Sequence, residues 1–169
     1  MQSTCYDETA VNTAALLNAY LYLDNRTAQN GCSIRDVLHS LKNLPEYGSP
    51  DGKYYDSWKL LSKAAQSSFG DLILDHQSKT MGFPEQTNAC TFTDPVSQDV
   101  FVVYRGTADG EWPDNGAGLF SVSTLQQEDA VLYFSQLAEC GYLDTPGSVY
   151  ISGHSKGGNK AQFVTLASA

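Results

Sequence analysis

The chain has 169 residues, about one domain's worth, and 41% of them are hydrophobic, enough to build a core. Ten basic against nineteen acidic residues leave a net charge of −9, which argues against nucleic acid and anionic membrane surfaces as partners. No apolar run is long enough for an integral membrane segment, and no P-loop, dinucleotide fingerprint or metal-ligand spacing occurs, so neither a cofactor nor a metal is implied.

Residues 1–8 lack the basic start and apolar stretch of a signal peptide, and cytoplasmic and secreted locations both stay open. Between Thr9 and Leu23, Ala14, Leu17 and Leu21 recur at helical spacing until Asp24-Asn25 ends the run. Ser33 is a candidate N-cap for a short helix with Val37, Leu38 and Leu41 on one face, stopped before Pro45. Residues 43–53 are rich in turn formers. A third helix, from about Tyr55 to Ser67, is expected to bury Trp58, Leu61 and Ala65.

The second half changes register. Asn88 to Thr93 is a candidate strand turned by Asp94-Pro95, and Val100–Tyr104 is a continuous apolar strand of the kind buried on both faces. A glycine-bearing loop, 106–123, follows. Thr124 and Gln127 form a capping box that opens a helix with Ala130, Val131, Phe134 and Leu137 facing the core and Gly141 at its end. A strand at Val149–Ile151 and a helix from about Gly157 to Ala167 complete the pattern. Strand–helix–strand–helix with buried strands predicts an α/β domain with a mostly parallel sheet and flanking helices. No linker splits the chain, so a single domain is expected: a helical N-terminal extension over 1–45 and an α/β core over 55–169. Cys5, Cys32, Cys90 and Cys140 are scattered and read as reduced, mostly buried thiols.

The chemistry lies in Gly153-His154-Ser155-Lys156-Gly157, a G-x-S-x-G run between a strand and a helix. This is the nucleophile elbow, in which a tight turn holds the serine in a strained conformation with its hydroxyl exposed. Gly153 and Gly157 are small because strand and helix backbones pass close together, and Ser155 is the expected nucleophile, its hydroxyl at a pocket floor. Acyl transfer also needs donors for the developing oxyanion. The backbone N–H of Lys156 is one, and the loop that leaves Val100–Tyr104 at Gly106-Thr107 is the natural source of the other.

With those residues in view, Val103-Tyr104-Arg105-Gly106-Thr107, Trp112-Pro113-Asp114 and Gly153–Asn159 together resemble the (F/Y)-R-G-T … W-x-D … G-H-S-x-G-G pattern of class 3 lipases. The chain is most similar to a bacterial, lipase-like branch whose elbow reads G-H-S-K-G-G-N, and the likeness spans about Trp58 to Leu166. It implies part of an α/β-hydrolase fold, interrupted after the nucleophile helix, and hydrolysis of an ester or lipid through an acyl-enzyme on Ser155. It also implies an oxyanion hole at Thr107 and Lys156, supported by Arg105, Gly106, Trp112, Asp114, Gly153, His154 and Gly157, with Arg105 against an acidic group such as Asp114.

One departure stands out. In that fold the acid and the histidine follow the serine, but no His, Asp or Glu follows Ser155 here. His39, His76 and His154 read as surface or structural residues. The expectation is therefore the N-terminal part of a longer hydrolase, completed by a missing C-terminal half. The alternative is a non-catalytic α/β-hydrolase-like binding or interaction module.

Overall fold

The computed structural model describes residues 7–23, 28–106 and 124–169. Helix α1 (Glu8–Leu21) begins where the Asp7 carboxylate accepts the N–H groups of Thr9 and Ala10 at 3.0 and 3.2 Å. Helix α2 (Ile34–Leu41) is capped by Ser33, whose hydroxyl accepts the Asp36 N–H at 3.1 Å. Its apolar stripe of Ile34, Val37, Leu38 and Leu41 is wholly buried. A single turn, α3 (Pro45–Gly48), lies in the segment that reads as mere turn. Helix α4 (Tyr55–Ala64) ends three residues before its expected limit and buries Leu61. Trp58 is only half-buried, held by its indole N–H, which donates to the Leu38 carbonyl at 2.8 Å.

Four strands follow the order β1-β2-β3-β4: β1 (Ile73–Asp75), β2 (Ala89–Thr93), β3 (Val100–Tyr104) and β4 (Val149–Gly153). The first two pairings are antiparallel and only β3–β4 is parallel. The sheet is thus mixed, and the expectation of a mostly parallel sheet is overturned. For β2–β3 the reason is connection length. Six residues, 94–99, join β2 to β3, whereas a parallel crossover needs about a dozen or more. The β3–β4 step, 105–148, has ample room for a crossover, and helix α5 (Leu125–Glu139) lies in it. The three-residue β1 is too short to declare itself as a sequence pattern.

The ends of α5 match the sequence reading. Thr124 and Gln127 exchange both capping-box bonds, at 2.7 and 3.3 Å. Gly141 takes φ +74, and its N–H and that of Tyr142 reach back to the carbonyls of Ala138 and Leu137, the Schellman arrangement that suits a glycine. The core face differs by one position. Tyr133, rather than Phe134, is fully buried beside Ala130 and Leu137.

Strand β3 explains the layering. Alternate side chains point to opposite faces of a sheet, so Phe101 and Val103 join one core with residues of α1, α2 and α4. Val100, Val102 and Tyr104 join a second core with α5 and the last helix, α6 (Lys156–Ala167). Helix α1 packs directly on β3 and β4. The result is an α/β arrangement with helices on both faces of a four-stranded sheet, and no helix among the described residues is long and apolar enough to cross a membrane. Of the described cysteines only Cys90 is buried, and burial pushes its thiol well above the usual range; Cys32 is half-buried and Cys140 exposed, which corrects the expectation of mostly buried thiols.

Candidate active site at the β4–α6 turn

Strand β4 runs directly into α6 through His154 and Ser155. Ser155 has φ +55 and ψ −126, one of four non-glycine residues at positive φ among the described residues. Such a conformation costs about 1–3 kcal/mol and persists only where its surroundings impose it. Here they do. A methyl group at Gly157 would overlap the Tyr104 carbonyl oxygen and lie 2.8 Å from the Arg105 carbonyl carbon. A methyl at Gly153 would overlap the Gly157 carbonyl and lie 2.7 Å from the Gly158 nitrogen. Helix α6 therefore starts pressed against the ends of β3 and β4, and the chain can reverse only by a sharp turn at Ser155. A serine at a helix N-cap ordinarily bonds to the first-turn amides. Ser155 makes no such bond, and the residue is exposed.

The parallel register pairs Tyr104 with Gly153, so Arg105-Gly106 leaves β3 alongside the elbow. A methyl at Gly106 would lie 2.7 Å from the His154 carbonyl oxygen and 3.2 Å from the Ser155 Cβ. Lys156, half-buried, is the first residue of α6, so its amide stands at the positive end of the helix dipole. On the other flank, the Gln127 side-chain amide donates to Asn159 at 2.7 Å, which brings the start of α5 to the first turn of α6. Thr107, Trp112 and Asp114 lie outside the described residues.

One neighbour was not legible in the sequence. Tyr22, at the C-terminal cap of α1, packs edge-on to the His154 ring at 5.7 Å between centroids, with its hydroxyl 3.4 Å from Nδ1. The Arg105 guanidinium lies over the Tyr22 ring at 5.2 Å, within cation–π range. The Tyr22 hydroxyl would meet a Gly106 methyl at 2.6 Å. Nothing in the α1 sequence marks this residue, because its role follows from α1 crossing the sheet end rather than from local pattern.

The three histidines fall in different places. His154 is exposed and turned to Tyr22. His76 follows β1, three strand positions from β4, a separation of about 14 Å at the usual strand spacing. Its ring lies against Tyr142 at 4.0 Å. His39 is exposed on α2. None of them stands at the Ser155 hydroxyl. A hollow of about 530 Å³ lies between β4 and α6, lined by Ile151, Ser152, Gly153, Ala161, Thr165 and Leu166 among others, and Ser155 is not in its wall. Nearby, Asp129 on α5 has its carboxyl raised above the usual range, by burial first and the Glu128 charge second, with Lys160 opposing both. Among the described residues no group of His, Cys, Asp and Glu could hold a metal ion.

The sequence profile of the Mbeg1-like family matches residues 65–169. The chain belongs to the Mbeg1-like family. The Mbeg1-like segment contains all four described strands together with α5, the elbow and α6, whereas α1, with Tyr22, lies before it. No curated protein and no solved structure matches the chain.

Proposed function

We propose that this Mbeg1-like protein is a serine hydrolase of the α/β-hydrolase, class 3 lipase-like kind, cleaving carboxylic esters or lipids through an acyl-enzyme on Ser155. The observation that carries the reading is the backbone of Ser155, held at φ +55 between a strand and a helix by two glycines that admit no methyl group. Evolution keeps such strain where it serves chemistry. In this mechanism the Ser155 oxygen attacks the acyl carbon, the C–O bond to the alcohol breaks, and water later cleaves the acyl-enzyme. The Lys156 N–H and a donor from the Gly106-Thr107 turn hold the developing oxyanion. Arg105 supports that turn through Tyr22.

The attacking hydroxyl needs a base. With no histidine of the chain placed to serve, the 169 residues by themselves are expected to be catalytically incomplete, and a triad acid and histidine would come from further chain. Loss of triad members leaves only about 10³–10⁴-fold catalysis over water. The test is labelling by a fluorophosphonate probe and p-nitrophenyl ester turnover. Both should be near background for these residues, strong in a chain extended through a downstream Asp and His, and abolished by Ser155→Ala. Absence of Ser155-dependent labelling in the extended chain would remove the hydrolase reading.

The unserved hydroxyl favours a second reading, a non-catalytic module that retains the elbow and uses the fold for binding. Under it, the extended chain fails to label although it folds.

A further inference from the structure

Among the described residues, Lys160 is the only charged side chain that is buried, with no exposed surface. It sits on α6, five positions after Ser155, beside Ala161 and Val164 on the side that faces the sheet. Its ammonium donates to three backbone carbonyls: Gln86 at 2.6 Å, Thr87 at 3.3 Å and Arg105 at 3.3 Å. Two of these belong to the turn before β2, and the third to the residue that leaves β3. The same place holds a backbone bond from the Arg105 N–H to the Asn88 carbonyl at 2.9 Å, and Asn88 itself is at φ +39. From α5, Asp129 lies within the electrostatic reach of the ammonium.

Burying an ammonium is expensive unless its hydrogen bonds are met, and an apolar residue would fill a helix–sheet interface at lower cost. What Lys160 does that an apolar residue cannot is tie the nucleophile's own helix to the ends of β2 and β3. Gly106 follows Arg105 directly and lies against Ser155. We propose that Lys160 is a positioning residue of the site: its ammonium clamps the carbonyls of Gln86, Thr87 and Arg105, and so fixes the Arg105-Gly106 turn against Ser155. The inference takes its purpose from the reading of Ser155 as nucleophile, but its test needs no turnover.

The experiment compares the 169-residue chain with its Lys160→Met variant by amide hydrogen exchange, read by NMR. The clamp predicts exchange about tenfold or more faster at Arg105, and shifted resonances at Gly106 and Ser155. The amides of Gly31 and Ile34, which bond to the carbonyls of Leu74 and Leu72, should stay within about twofold, since local opening is separable from global unfolding. An unchanged Arg105, or equal acceleration at Arg105, Gly31 and Ile34, would overturn the clamp. If Lys160→Met does not fold, the wild-type chain decides: exchange of the Lys160 Nζ protons and of the Arg105 amide should share one dependence on low urea, and different dependences overturn the proposal. Fluorophosphonate labelling of an extended chain separates the two ideas. Failure to label removes the nucleophile and leaves the clamp; Ser155-dependent labelling with Arg105 exchange unmoved by Lys160→Met removes the clamp alone.

Discussion

Gly157→Ala is the sharpest test of the elbow, because two opposed effects can be sized in advance. Alanine is the better helix former by about 1 kcal/mol, so in an open helix the change would stabilise. At Gly157, however, the new methyl overlaps the Tyr104 carbonyl oxygen and lies 2.8 Å from both the Tyr104 and the Arg105 carbonyl carbons. These are backbone atoms of a fully paired strand, not the end of a side chain that can swing aside. Forcing extra volume into a packed interface typically costs about 1–3 kcal/mol, and more where the obstacle cannot yield. The upper end of that range applies here, which leaves a net loss of about 2 kcal/mol or more after the helix gain.

Gly158→Ala supplies the control, one residue further along the same helix. Its methyl would come no closer than 3.1 Å, to the Gly153 carbonyl oxygen, a contact relieved by a few tenths of an ångström. There the propensity gain and the crowding should nearly cancel. Urea unfolding of the two variants against wild type measures the difference, with equal slopes required for a like-for-like reading. If Gly157→Ala proves as stable as Gly158→Ala, α6 does not press on β3, and the argument for an imposed turn at Ser155 fails with it.

Ser155→Gly should relieve the strained φ, worth about 1–3 kcal/mol, less the entropy a glycine adds to the unfolded chain, about 0.4–1 kcal/mol; a rise in urea midpoint over wild type is expected, and a fall would show that the turn is not strained. Thr124→Ala removes one half of the α5 capping box and should cost about 1 kcal/mol, again read from the urea midpoint; no change would mean the cap is idle. Asp129 is raised in the folded state, so its ionised form opposes folding at neutral pH, and that penalty is relieved as pH falls through the raised value toward the ordinary one. Asp129→Asn should therefore raise Tm at pH 7 by a margin that shrinks on acidification through the carboxylate range; a margin that grows instead would reverse the assigned cause.

Local signals carried most of the fold, and topology was where they stopped. Asp7, Ser33 and Thr124 cap helices because a short oxygen-bearing side chain can reach the first-turn amides, and that chemistry can be read from a few consecutive residues. The same holds for Gly141 and for the five buried residues of β3. Strand direction is not local. It was decided by the length of 94–99, which the sequence displays but which counts only once β2 and β3 are known to be neighbours. The site divides along the same line. Ser155 with Gly153 and Gly157 is a motif because one turn imposes all three constraints within five residues. Tyr22 and Lys160 reach that turn from elsewhere, one from the end of a helix more than 130 residues earlier and one from beneath the nucleophile's helix. Lys160 left a faint trace, a charge on the face that Ala161 and Val164 mark as buried, and in a helix where apolar residues are expected to face a sheet such a misplaced lysine is the signal to follow. It points to the ends of β2 and β3, and so to the one place among the described residues where strain in the backbone, a close approach of glycines and a buried charge coincide.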